Sequence, residues 1–155
     1  MKRFFILTAL LVSTVFSFNA FACGDSLYRV GKGVSYRVYT APLPGNVLVY
    51  GQSESAKQLA EELARSGHGV LLVDNELELG IELQKGSYDV VIAPYSEHRA
   101  IESTAKNSTA TYLPVALNSE EEKTATQDYS KVMLADRDGI KSYLKAIHKT
   151  LKSKV

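Results

Sequence analysis

The chain has 155 residues, 45% of them hydrophobic and 23% charged, a size and composition suited to one globular domain and too short for two. Its 18 Lys+Arg and 17 Asp+Glu give a formal charge of +1, which excludes a nucleic-acid coat and an acidic disordered tail. A single cysteine excludes an internal disulfide and a zinc site built from thiolates.

Met1, Lys2 and Arg3 form a short cationic start, residues 4–16 are almost wholly apolar, and Ala20-Phe21-Ala22 has the small-x-small pattern that a signal peptidase reads. Residues 1–22 are therefore expected to be a secretory signal peptide rather than a membrane anchor, because Ser13, Thr14, Ser17 and Asn19 interrupt the apolar run. Cleavage would place Cys23 at the mature N-terminus and leave 16 basic and 17 acidic residues, a net charge of −1. Cys23, followed by Gly24 and Asp25, could carry a lipid or an intermolecular disulfide. Ala20 stands where a lipoprotein signal usually has Leu, so the expected product is a soluble periplasmic protein, with a lipoprotein anchored through Cys23 as the alternative.

Residues 23–45 read as an arm. Two short β-prone stretches, 27–30 and 34–39, flank Gly31-Lys32-Gly33 and suggest a hairpin, and Ala41-Pro42-Leu43-Pro44-Gly45 supplies a stiff hinge. Tyr28, Tyr36 and Tyr39 alternate with Arg29, Lys32 and Arg37, a pattern that could stack on nucleic acid. An exported chain rarely meets any, so packing beside the Arg stems is expected and no nucleic-acid partner is assigned.

From Asn46 the pattern alternates between short apolar runs and amphipathic stretches. Strands are predicted at 47–50, 70–73, 89–93, 111–117 and 131–135. The first helix is predicted over 53–66, with Leu59 and Leu63 one turn apart; the second starts after Asn75, has Glu78 in capping-box position, and ends at Gly86. A polar helix follows around 97–106, and Ser119 with Glu122 suggests another capping box. The last helix carries Ile140, Leu144, Ile147 and Leu151 on one face. Five strand-helix pairs over 46–155 imply a single doubly wound α/β domain with a parallel sheet covered on both faces.

Asn46-Val47-Leu48-Val49-Tyr50-Gly51, Tyr88-Asp89-Val90-Val91-Ile92-Ala93-Pro94 and the Lys-rich last helix together resemble the receiver domain of bacterial response regulators. The resemblance implies the flavodoxin-like strand order 2-1-3-4-5. It also shows what is missing: where the family holds Mg²⁺ with an acidic pair, this chain has Gly51-Gln52-Ser53. Ala93 and Pro94 stand where the family has its phosphoacceptor Asp, and Ala135-Asp136-Arg137 replaces the motif with the conserved Lys. Phosphoryl transfer does not carry over, and no cofactor or metal is expected.

In an open parallel sheet, functional groups gather beyond the carboxyl ends of the strands. The candidates there are Gln52, Ser53, Glu54, Asp74, Tyr95, Ser96, Glu97, His98 and Asp136. Glu54 and Glu97 occupy first helical turns, and Asp74 and Asp136 are read as ending neighbouring strands, so the rim is expected to be acidic and to repel anions. One glycine after the first strand is too few for a dinucleotide loop, and Ser96 with His98 lacks the Gly-x-Ser-x-Gly elbow of a hydrolase. His68, His98 and His148 are too scattered in sequence to suggest a metal centre. The expected function is that of an exported, non-catalytic binding module acting on an envelope protein, with membrane contact only through a lipidated Cys23. The alternative is a small-molecule-binding protein or enzyme using the cleft between the first and third strands, with Ser53, Tyr95, Ser96 and His98 as its polar groups.

Overall fold

The computed structural model describes residues 40–104 and 108–154, so the expected signal peptide, Cys23 and the hairpin arm lie outside the described residues. Five strands, β1 (Asn46–Tyr50), β2 (Gly69–Val73), β3 (Val90–Pro94), β4 (Thr111–Ala116) and β5 (Met133–Leu134), form one parallel sheet in the order 2-1-3-4-5. This is the flavodoxin-like order expected from the sequence. Val47, Leu48 and Val49 are fully buried, as are Val90, Ile92 and Ala93, because central parallel strands have no face left for water. The register runs from Asn46↔Gly69 to Tyr50↔Val73 on one side of β1, and from Val47↔Val90 to Val49↔Ile92 on the other.

Alternation along each strand divides the core between the two faces. Val47, Val49, Val90, Ile92, Leu113 and Val115 pack with helices α1 (Glu54–Arg65) and α5 (Ile140–Lys152) through Leu59, Leu63, Tyr143 and Ile147. Leu48, Val91 and Ala93 pack with α2 (Glu76–Lys85) and α3 (His98–Thr104) through Leu79, Leu83 and Ile101. A smaller group of Ala116, Ala125, Val132 and Leu134 lies under α4 (Ser119–Asp128). Full burial of one such Leu or Ile side chain is worth about 1.5–3 kcal/mol, so the two larger clusters dominate the stability.

Local signals set the helix ends. Ser53 Oγ accepts the Ala56 N–H at 3.1 Å. Asn75 Oδ1 accepts the Glu78 N–H at 2.8 Å, the first half of the expected capping box, while Glu78 Oε2 accepts from the Asn75 side-chain Nδ2 at 3.1 Å instead of from its backbone N–H. Gly86 ends α2 at φ 65°, a left-handed position that favours glycine. In α4 the cap falls one residue earlier than expected. Asn118 Oδ1, rather than Ser119, accepts from Glu120 and Glu121 N–H at 3.0 and 2.9 Å, and Glu121 reaches back to the Leu117 N–H at 2.8 Å. The third helix begins later than expected, a 3-10 turn over Tyr95–Glu97 preceding α3.

β5 is shorter than the predicted 131–135. Its ladder starts at Val115↔Met133, since Pro114, which that register would set opposite Val132, has no N–H to offer.

The proline segment before β1 lies along the domain. The Ala41 N–H donates to Ser66 O at 2.7 Å, the Gly45 N–H to His68 Nδ1 at 3.2 Å, and Leu43 packs against the main core. Gly45 fits closely there: a Cβ on it would stand 2.8 Å from the Leu151 methyl carbons.

Candidate functional site

β2 and β3 flank β1, and their crossover helices depart to opposite faces, so the crevice of the fold opens beyond the carboxyl ends of β1, β2 and β3. Tyr50, the last residue of β1, stands in it half-buried. Its phenol is held above the usual tyrosine range, first by burial and then by the negative charges of Glu97, Glu76 and Asp74. Three carboxylates from three elements thus act on one ring: Asp74 from the end of β2, Glu76 from the first turn of α2, and Glu97 from the turn after β3.

The other expected residues have more structural tasks. Gln52 Nε2 donates to the Asp74 carbonyl at 2.8 Å and ties the loop after β1 to the end of β2. Ser53 is buried, with its hydroxyl oxygen engaged at the start of α1. Glu54 is exposed and pairs with Lys57 at 3.6 Å, an arrangement that solvent largely screens. Ser96 is exposed, while Tyr95 and His98 turn toward each other. Their rings stack at 4.6 Å with an interplanar angle of 6°, and His98 Nδ1 lies 2.8 Å from the Tyr95 carbonyl oxygen. Among the described residues no hydrogen bond joins Ser96 to His98.

Asp136 does not join the cluster. It follows β5, at the opposite edge of the sheet from β2, and four inter-strand steps of about 4.8 Å separate the two strands by roughly 19 Å. Asp74 and Asp136 therefore do not end neighbouring strands, and the acidic rim is narrower than the sequence suggested. Arg137 does little to offset it, because Glu122 at 2.6 Å and Asp138 at 3.5 Å engage its guanidinium.

Several residues at this end of the sheet escaped the sequence reading. Glu76 and Tyr50 complete the acidic crevice, and strand parity would have placed Tyr50 on the same face as Leu48. Tyr112 donates to the Pro94 carbonyl at 2.7 Å and fixes the turn after β3. Tyr129 meets Tyr112 edge-on at 5.2 Å and Tyr95 at 6.3 Å, and its hydroxyl donates to Glu102. Burial and that hydrogen bond push the Tyr129 phenol up, so it stays protonated throughout the physiological range. No sequence spacing signals this aromatic series, since its members come from β4, the turn after β3 and the end of α4.

Among the described residues no group of three or more His, Cys, Asp and Glu is placed to hold a metal ion. No helix among them is long and apolar enough to cross a membrane. Compared with protein-family models, with curated proteins and with solved structures, the chain shows no match.

The balance of charge decides what the crevice can bind. A helix N-terminus favours an anion by about 0.3–1 kcal/mol, whereas one like charge at about 4 Å costs about 1 kcal/mol in water and about 4 at an intermediate dielectric. Asp74, Glu76 and Glu97 add negative potential around Tyr50, and the helix ends and the exposed Arg99 act against it.

Proposed function

We propose that this chain is an exported, non-catalytic, receiver-like binding module whose acidic crevice docks a basic patch of an envelope protein. The convergence of Asp74, Glu76 and Glu97 on Tyr50 carries the reading. A second feature supports a protein partner over a free small cation: Leu77, next to Glu76 in the first turn of α2, is 77% exposed, and Ile81 one turn on is 50% exposed. An apolar side chain beside a charged rim is what a protein interface uses as an anchor, while the charges set orientation and encounter rate. Export rests on the charged start, the apolar run and Ala20-Phe21-Ala22.

The test compares partner capture from an envelope fraction by the wild type and by a variant carrying Glu54→Gln, Asp74→Asn, Glu76→Gln and Glu97→Gln. Retention of a partner that falls with salt and is lost in the variant, with unchanged circular dichroism, supports the reading. Titration of the wild type with ATP, flavin mononucleotide and inorganic phosphate supplies the opposing arm. Saturable amide shifts at residues 51–55 or 95–98 would overturn it in favour of a nucleotide site.

A further inference from the structure

The groove where residues 40–43 cross α5 has a different character from the acidic rim. It encloses a cavity of about 210 Å³, below the roughly 300–1,000 Å³ of sites that take drug-sized ligands. Pro42, Leu43 and Leu144 form apolar walls, and the polar side chains around them include His68, His148, Lys141 and Lys145. No carboxylate is among its described lining residues.

Among the described residues no carboxylate neutralises the two lysines. Lys141 and Lys145 lie one helical turn apart on α5, both exposed, and neither forms an ion pair among the described residues. His148, a further turn along, has its Nδ1 shut off from solvent with no hydrogen-bond partner among the described residues. His68 is already engaged, its Nδ1 accepting the Gly45 N–H.

These features select one chemistry. A pure hydrocarbon would fill the walls but bring no counter-charge to the lysines. A cation would be repelled, and a small polar anion would leave the walls in contact with water. We propose that the groove binds a small aliphatic monocarboxylate, its hydrocarbon against Pro42, Leu43 and Leu144 and its carboxylate toward Lys141 and Lys145. This site is independent of the acidic crevice and of the partner assigned to it.

The test is an amide-shift titration of the full chain with hexanoate, with hexanol and hexylammonium as matched neutral and cationic probes. The expected result is saturable shifts at Ala41, Leu43, His68, Leu144 and His148 with hexanoate, binding of hexanol about tenfold weaker, and no saturable response to hexylammonium. A double variant, Lys141→Gln with Lys145→Gln, replaces only exposed side chains. It should weaken hexanoate about tenfold while leaving circular dichroism and hexanol binding unchanged. Equal affinity for hexanol and hexanoate, an unaltered hexanoate affinity in the double variant, or a groove already filled by the chain's own preceding residues and silent to all three probes would each overturn the proposal.

Discussion

His68 is the residue whose protonation should be felt most directly by the fold. The ring is only 6% exposed, and its Nδ1 accepts the Gly45 N–H at 3.2 Å, which joins the segment before β1 to the turn entering β2. Protonation places an N–H on Nδ1, so the hydrogen bond becomes two donors facing each other. Burial, the largest cause, holds the imidazole pKa below its usual value. The unfolded chain therefore binds more protons than the folded one below about pH 6.5, and stability falls as pH drops through that value until the folded-state pKa is passed. Replacing His68 with Leu removes both the acceptor and the titration. The cost at pH 7.5 should be about 1–3 kcal/mol, that of a buried N–H left without a partner. Urea unfolding of wild type and His68→Leu at pH 7.5 and pH 5 gives the test, and His98 and His148 cancel in the difference because both chains carry them. The stability gap should narrow on acidification. A gap independent of pH, or one that widens, would refute the coupling of this ring to the fold.

Three further outcomes follow from particular residues. Asn118→Ala removes the acceptor of two N–H groups at the start of α4 and should cost about 1 kcal/mol in urea unfolding, whereas Ser119→Ala should cost much less. Acetyl phosphate with Mg²⁺ should leave the intact mass unchanged, because β3 ends in Ala93 and Pro94 and the loop after β1 is Gly51-Gln52-Ser53. Exported protein should have an intact mass starting at Cys23; a chain retaining Met1 would defeat the signal-peptide reading, and an added diacylglyceryl group would establish the lipoprotein form.

The parallel, doubly wound class was legible because it follows from two coarse features, strands that are apolar throughout and strict alternation with amphipathic helices, whereas the order 2-1-3-4-5 was implied by the resemblance to receiver domains. Each feature is repeated along the chain, so a boundary error of one or two residues does no harm. The α4 cap shows where that tolerance ends. Asn118 with Glu121 and Ser119 with Glu122 are equally good pairs by spacing, and what separates them is the Glu121 carboxylate reaching the Leu117 N–H, a contact made only once β4 has been placed. The misplacement of Asp136 has a different origin: the expected order 2-1-3-4-5 already sets the second and fifth strands at opposite edges, so it was incompatible with Asp74 and Asp136 ending neighbouring strands. His68 and His148 are 80 positions apart in sequence and line one groove because residues 40–43 fold back along α5. Nothing in either local sequence encodes that.

The carboxyl-end rim separates into residues that hold the backbone and residues that set the potential. Ser53 caps α1, Gln52 binds the Asp74 carbonyl, and Tyr112 binds the carbonyl of Pro94; loss of any of these would loosen a turn. Asp74, Glu76 and Glu97 contribute otherwise. The carbonyl of Asp74 supports Gln52, but its side chain accepts only from the neighbouring Asn75 Nδ2, at 3.1 Å, among the described hydrogen bonds. Asp74→Asn therefore keeps the backbone brace while removing the charge. Surface substitutions of this kind usually change stability by no more than about 0.5 kcal/mol, while each close charge removed from a partly screened cluster changes its interaction with a cation by about 1 kcal/mol or more. The crevice is thus a place where the electrostatic potential can be altered with little effect on the sheet beneath it, and loss of partner binding there would report on charge rather than on folding.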